Sequence, residues 1–166
     1  MFNHFDERGQ AIMVDVSGKQ PTLRTAVASA TVFLKPATLA AILEGKITKG
    51  DVLGVARLAG ISAAKKTPDL IPLAHPLAIH HAAINFTTDV ATGTVWVEAT
   101  VRAHERTGVE MEAMVAASLA ALTIYDMCKG LDKSIFIGEV ELLFKEGGKS
   151  GPYRREKNQS GTNPCG

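Results

Sequence analysis

The ionisable residues whose spacing could do chemistry stand at the two ends of one stretch, TGVEMEAMVAASLAALTIYDMCKGLDK, from Thr107 to Lys133. Glu110 and Glu112 open it; Asp126 and Lys129 close it. On a helix, residues three apart are surface neighbours, so Asp126 and Lys129 can tune each other's proton affinity. Glu112 and Asp126 fall within about 40° of one face but about 21 Å apart along the axis. They cannot both touch one small group. The pattern reads as two halves of a site, or as halves of two sites completed by a second copy of the chain. It also reads as plain helix electrostatics, with acids at the positive N-terminus and a lysine at the negative C-terminus.

Between those ends the thirteen residues Ala113 to Tyr125 carry no charge. A helix apolar on every side is expected to be buried on every side. Ala116, Ala117, Ala120 and Ala121 would let neighbouring backbones approach closely, and Gly130 is placed to end the run as a C-cap. The run is short of the roughly 20 residues a bilayer needs, which points to a core helix.

Two irregular segments add candidates. PDLIPLAHP, Pro68 to Pro76, holds three prolines in nine residues and is read as neither helix nor central strand. An apolar, irregular loop ending in His75 suits a pocket wall or a buried connection. Gly147-Gly148-Lys149-Ser150-Gly151 lacks the phosphate-loop pattern, since no helix follows it. It remains a glycine-permitted lysine loop that could close on a polyphosphate, or a solvated loop.

The elements that must position these residues follow from periodicity. Thr22 to Leu34 alternates and is read as a strand, with Arg24, Ala26, Ala28, Ala30 and Val32 on one face. Lys35-Pro36 opens a short helix through Leu43. A second helix runs from near Lys49 or Asp51 to before Thr67, with Val52, Val55, Ala59 and Ala63 as its inner stripe, and Gly54 and Gly60 there imply close packing. Ala78 to Thr88 and Thr94 to His104 form a hairpin around Asp89 to Gly93. Trp96 on its outer face hints at a covered surface. His80 and His81, adjacent in sequence, point to opposite sides and cannot share a metal. Ser134 to Lys145 reads as a last strand, with a bulge or close approach at Gly138. The order gives an α+β fold: a ferredoxin-like antiparallel sheet with helices on one face. Residues 1–155 make a single domain. The polar run from Tyr153, and 156–166 above all, is predicted to be disordered, as are the first several residues.

Composition narrows the function. With 18 basic and 17 acidic residues the net charge is +1, too small to draw nucleic acid or an anionic membrane. Two cysteines, Cys128 and Cys165, form neither a disulfide framework nor a metal spacing. A cytoplasmic setting is expected, since the N-terminus is polar where an export segment would be apolar.

Taken in order, MVDVSGK (Met13 to Lys19), KGDVLGVARLAGI (Lys49 to Ile61), KKTPDLIPLAHPL (Lys65 to Leu77), TGVEMEAM (Thr107 to Met114), LTIYDMCK (Leu122 to Lys129) and GGKSG (Gly147 to Gly151) resemble the MoaC family. The likeness runs from His4 to Arg155. It implies a lyase of molybdenum cofactor biosynthesis that converts (8S)-3',8-cyclo-7,8-dihydroguanosine 5'-triphosphate to cyclic pyranopterin monophosphate and releases pyrophosphate. It also implies a homohexamer, a trimer of dimers, with the site at a dimer interface. No cofactor is required; magnesium can accompany the triphosphate, and no protein metal site is expected.

Residue by residue, the resemblance implies catalytic roles for Asp126, Lys129 and Lys49. Substrate contacts fall on Leu73, Ala74, His75, Glu110, Met111 and Glu112. Ala74 stands where the family usually has Cys, so a thiol has no role there and packing or backbone makes that contact. Closing a cyclic phosphate by attack on the α-phosphorus needs cations on the departing charge, for which Lys145, Lys149 and Arg24 join Lys49 and His75. Beside Asp126 the proton affinity of Lys129 is raised by the carboxylate and lowered by desolvation, and sequence does not rank the two. The rival is a non-catalytic nucleotide or pterin binder, for which Ala74 is the only sequence feature.

Overall fold

The computed structural model describes residues 6–156. The expectations for the first residues and for most of the 156–166 tail lie outside that range. Alternation in β1 (Thr22–Phe33) and β3 (Thr94–Glu105) lets them pair antiparallel along their whole length, Thr22 opposite Glu105 and Phe33 opposite Thr94. β2 (His81–Asp89) pairs with the far side of β3, and β4 (Phe136–Glu146) with the far side of β1. The two-residue β5 (Tyr153–Arg154) pairs with Phe144 and Lys145 of β4, so ordered chain runs past the point where the sequence predicts disorder. The antiparallel order β2-β3-β1-β4-β5, with helices on one face, is the expected ferredoxin-like α+β arrangement.

On that face β1 offers Ala26, Ala28, Ala30 and Val32, and β3 offers Val95, Val97, Ala99, Val101 and Ala103, all fully buried. Against them lies α4 (Glu110–Cys128), with Ala113, Ala116, Ala117, Ala120, Ala121 and Ile124 equally inaccessible. Short side chains on both surfaces let helix and sheet come close. α4 is shorter than the expected Thr107–Lys133: Thr107 and Gly108 precede it, and Gly130 does not adopt the left-handed conformation of a C-cap. A turn closes the end instead, the N–H groups of Leu131 and Asp132 donating to the Cys128 carbonyl. Nor is the helix covered on all sides within one chain. Met111 and Leu122 are 39% and 50% exposed, with half-buried Met114, Ser118 and Tyr125 on the same stripe, because a single sheet covers only one side of a cylinder.

Three shorter helices flank α4's layer. α1 (Pro36–Leu43) starts on the expected proline. α2 (Val52–Lys65) turns Val52, Ala56, Gly60, Ala63 and Ala64 inward, so Val52 and Ala63 of the predicted stripe are buried while Val55 is exposed and Ala59 only half-buried. Gly60 decides that rotation: a Cβ there would lie 2.9 Å from the Ala116 carbonyl of α4 and 3.0 Å from the Ile84 side chain. Thr67–Leu70 forms a single helical turn, α3, where the prolines had argued against any helix; Pro68 sits in its first turn, where no N–H is needed. In β4 the irregularity falls beside Gly138, at Glu139, which has φ 50 and accepts a hydrogen bond from Thr31. Trp96 is half-buried on the outer face of the sheet.

Gly60→Ala is expected to destabilise the fold by about 1–2 kcal/mol, overpacking exceeding the gain in helix propensity. Chemical denaturation checks it; unchanged stability would mean that α2 does not rest on Ala116.

Candidate active site

At the C-terminal end of α4 three residues meet. Lys129 Nζ donates to Asp126 Oδ1 at 2.7 Å, one helical turn away. Lys49, in the loop between α1 and α2, donates to Asp126 Oδ2 at 3.2 Å and to the Asp126 carbonyl at 2.8 Å. The hydrogen bonds from Lys129 and then Lys49 hold the Asp126 carboxyl below the usual range. The same bond raises Lys129, so attraction exceeds desolvation in the contest the sequence left open. All three side chains are about half exposed. The arrangement is a carboxylate held between two ammonium groups and open to solvent.

The other end of α4 gathers a different set. Lys145, near the end of β4, pairs with Glu110 at 2.7 Å. Arg24 donates from Nε to the Glu105 carbonyl and from Nη2 to the Arg106 carbonyl, both at 3.1 Å. Gly147 and Gly148, at φ 100 and φ 78, carry the chain across Leu23 and Arg24 where a side chain would collide with both. Lys149 follows on that loop, exposed, and Met111 is exposed one residue into α4. Glu112 is 3% exposed. Burial first, and the neighbouring Glu110 carboxylate second, push it up to about 7, although its own backbone N–H lowers it.

His75 belongs to a third group. Its Nε2–H donates to the Val14 carbonyl at 2.7 Å. Arg106 donates to the Ser17 carbonyl at 3.0 Å, and the segment Met13 to Ser17 with His75 and Arg106 lines an open surface cavity of about 430 Å³. Because the Arg106 carbonyl also accepts from Arg24, this cavity adjoins the Glu110 end of α4. Leu73 is 37% exposed and Ala74 half-buried, its N–H on the Ile71 carbonyl, so the position offers packing and backbone only.

One chain therefore joins Lys49, Asp126 and Lys129, and separately places His75, Arg24, Glu110, Glu112 and Lys145 near the opposite end of the helix. Among the described residues no hydrogen bond or ion pair links His75 to Asp126 or to either lysine. Sequence reading missed Arg106, whose only signal was its place just before the acidic motif, and the contact of the Met13–Ser17 arm with His75. His80 is occupied within the sheet edge, Nδ1 accepting the His104 N–H. Among the described residues no group of three or more His, Cys, Asp and Glu could hold a metal ion.

The MoaC family's sequence profile matches residues 13–148. The chain belongs to the MoaC family. Among its relatives, the cyclic pyranopterin monophosphate synthase of Geotalea uraniireducens is 76% identical over 158 residues, 95% of this chain and 99% of that protein. The protein of the same name from Geobacter sulfurreducens is 75% identical over the same span. That of Roseiflexus sp. is 56% identical over 150 residues, 90% of this chain and 95% of its own. The match to the MoaC profile takes in both ends of α4, the Lys49 loop and the His75 segment.

Glu112 yields a pH prediction. Its carboxyl takes up a proton near pH 7 in the folded chain but only near 4.5 when unfolded, so its stability contribution is complete below pH 4.5 and is lost as pH rises through 7. Against Glu112→Gln, which cannot ionise, the wild type is expected to lose roughly 3 kcal/mol of relative stability between pH 4 and pH 8. Denaturation curves at the two pH values check it, and a difference independent of pH would contradict the burial of an ionisable Glu112.

Proposed function

We propose that the chain catalyses the step named by its relatives, formation of cyclic pyranopterin monophosphate, from (8S)-3',8-cyclo-7,8-dihydroguanosine 5'-triphosphate with release of pyrophosphate. The observation that carries this reading is identity of 73% or more with four proteins of that name, spanning nearly the whole chain. The geometry supplies suitable groups. Rearranging the purine-derived ring is a series of proton transfers, for which ionised Asp126 serves as base and Lys129 and Lys49 as acids. In the phosphate step a sugar hydroxyl oxygen bonds to the α-phosphorus, the bond from that phosphorus to the β-phosphate oxygen breaks, and the hydroxyl proton passes to a base. The departing pyrophosphate calls for cations. Arg24, Lys145, Lys149 and His75 are the residues we assign to it, with Leu73, Ala74, Glu110, Met111 and Glu112 shaping the substrate's seat. Magnesium enters with the triphosphate, and no resident cofactor is invoked.

The site is read as completed by a second copy. Met111 and Lys129 lie on one exposed stripe of α4, at its opposite ends, with Met114, Ser118, Leu122 and Tyr125 between them. A copy lying antiparallel across that stripe sets the Met111 end of one helix against the Lys129 end of the other, and an isologous contact makes two such sites. Such dimers assemble in threes as the homohexamer expected of the MoaC resemblance, and half-buried Trp96 on the outer sheet face offers further surface. We place the protein in the cytoplasm, where the buried free thiol of Cys128 stays reduced. α4 is apolar and long enough to cross a membrane, but it serves as the core helix of the fold, with 56% of its apolar window buried.

Lys49→Ala and Lys129→Ala are each expected to lower the rate of pyrophosphate release at least about a hundredfold, with the oligomer intact. Normal turnover in either would remove that lysine from the mechanism, and no turnover by the wild type would favour the binder reading. Lys129→Ala co-expressed with Glu112→Ala should regain up to about a quarter of wild-type activity, since mixed dimers hold one intact site. No recovery from demonstrated mixed oligomers would mean that the site is built within one chain.

A further inference from the structure

Asp132 is a buried charged group that the proposed reaction does not use. It is 1% exposed, and the Lys35 ammonium lies 4.0 Å from its Oδ1. Oδ2 accepts the Lys35 N–H at 2.9 Å and the Thr38 hydroxyl at 3.2 Å, both at the head of α1. Oδ1 accepts the N–H and hydroxyl of Ser134, its neighbour two residues on, at 2.9 and 2.6 Å. Burial raises its proton affinity, but those four donors together prevail and bring it down to about 2.

Each side of this clamp leads to the Lys49–Asp126–Lys129 cluster. On one side, the Asp132 N–H donates to the Cys128 carbonyl, closing the turn that carries Lys129 and ends the helix bearing Asp126. On the other, α1 is only eight residues long and buries just Thr38, Leu39 and Ile42. So short a helix does not hold itself together in water and depends on its anchors. Its far end runs rigidly into the Lys49 loop: Gly45 turns at φ 68, the Lys46 N–H returns to the Ala41 carbonyl, and Ile47 is buried. Lys49 then reaches back to Asp126, completing a ring of contacts through α1, its loop, the end of α4 and Asp132.

We propose that Asp132 is a positioning residue, which by fastening the head of α1 to the turn after α4 sets the distance between Lys49 and the Asp126–Lys129 pair. The proposal rests on the assignment of that cluster to catalysis, but its geometric half can be read without turnover. The asymmetry of the clamp provides the test. Thr38→Val removes a donor that ties Asp132 to α1, whereas Ser134→Ala removes the shorter bond of a purely local tie. A merely structural Asp132 predicts that Ser134→Ala is at least as harmful and that neither variant alters the cluster.

The experiment measures the Asp126 carboxyl titration by NMR, with kcat and KM for pyrophosphate release, in both variants and the wild type, below their melting temperatures. Thr38→Val is expected to move the Asp126 titration upward, toward the ordinary carboxylate value, and to lower kcat about tenfold. Ser134→Ala should lower the melting temperature and leave both readouts unchanged. An unmoved Asp126 titration in Thr38→Val, or equal shifts in the two variants, would overturn the positioning role. A moved Asp126 titration in Thr38→Val, together with a wild type that shows no turnover, would preserve it and count against the catalytic reading instead.

Discussion

The contact between α4 and the sheet sets the terms for everything else. Alanines on the helix meet alanines and valines on β1 and β3, and the close approach this allows leaves no room for an ionisable group along the middle of α4. Chemistry is thereby confined to its two ends. A helix of this length holds those ends rigidly apart, on the order of 20 Å between Glu112 and Asp126. The distance that protects the core also prevents one chain from bringing its acidic motif onto its own lysine pair.

The two ends differ in electrostatic character. At the C-terminal end Asp126 is exposed and held ionised by hydrogen bonds from Lys129 and Lys49, and the same pairing raises Lys129. At the N-terminal end Glu112 is buried, has no cationic partner among the described residues and titrates near 7. One end thus holds an exposed ion-paired carboxylate, and the other holds a buried carboxyl that changes state near neutrality. A reaction that moves several protons and expels a polyanion has use for both, which is the physical content of the proposed two-copy site.

Much of this was legible in the sequence because alternation and long uncharged runs are strong signals. The strict alternation of Thr94 to His104 gave β3 and its buried face, and the element order gave the sheet. Asp126 and Lys129 were legible as neighbours from helical spacing alone. The rotation of α2 was not, since Val55 and Ala56 are equally apolar and only the packing of Gly60 on Ala116 decides between them. The contact of Lys49 with Asp126 depends on the path of α1 and its loop, which no local pattern encodes; the family resemblance, not periodicity, singled out Lys49. Likewise Asp132 sits in the unremarkable run GLDK, and its importance lies in donors from Lys35 and Thr38, distant in sequence. The Tyr153–Arg154 strand was hidden by polar composition, because an edge strand needs backbone pairing more than apolar side chains.

The most direct test is a crystal structure of the assembled Lys129→Ala protein with the cyclic triphosphate bound. The account predicts a single ligand touched by Lys49 and Asp126 of one copy and by Met111 and Glu112 of another. A ligand bound wholly within one chain, or one lying away from both ends of α4, would contradict it.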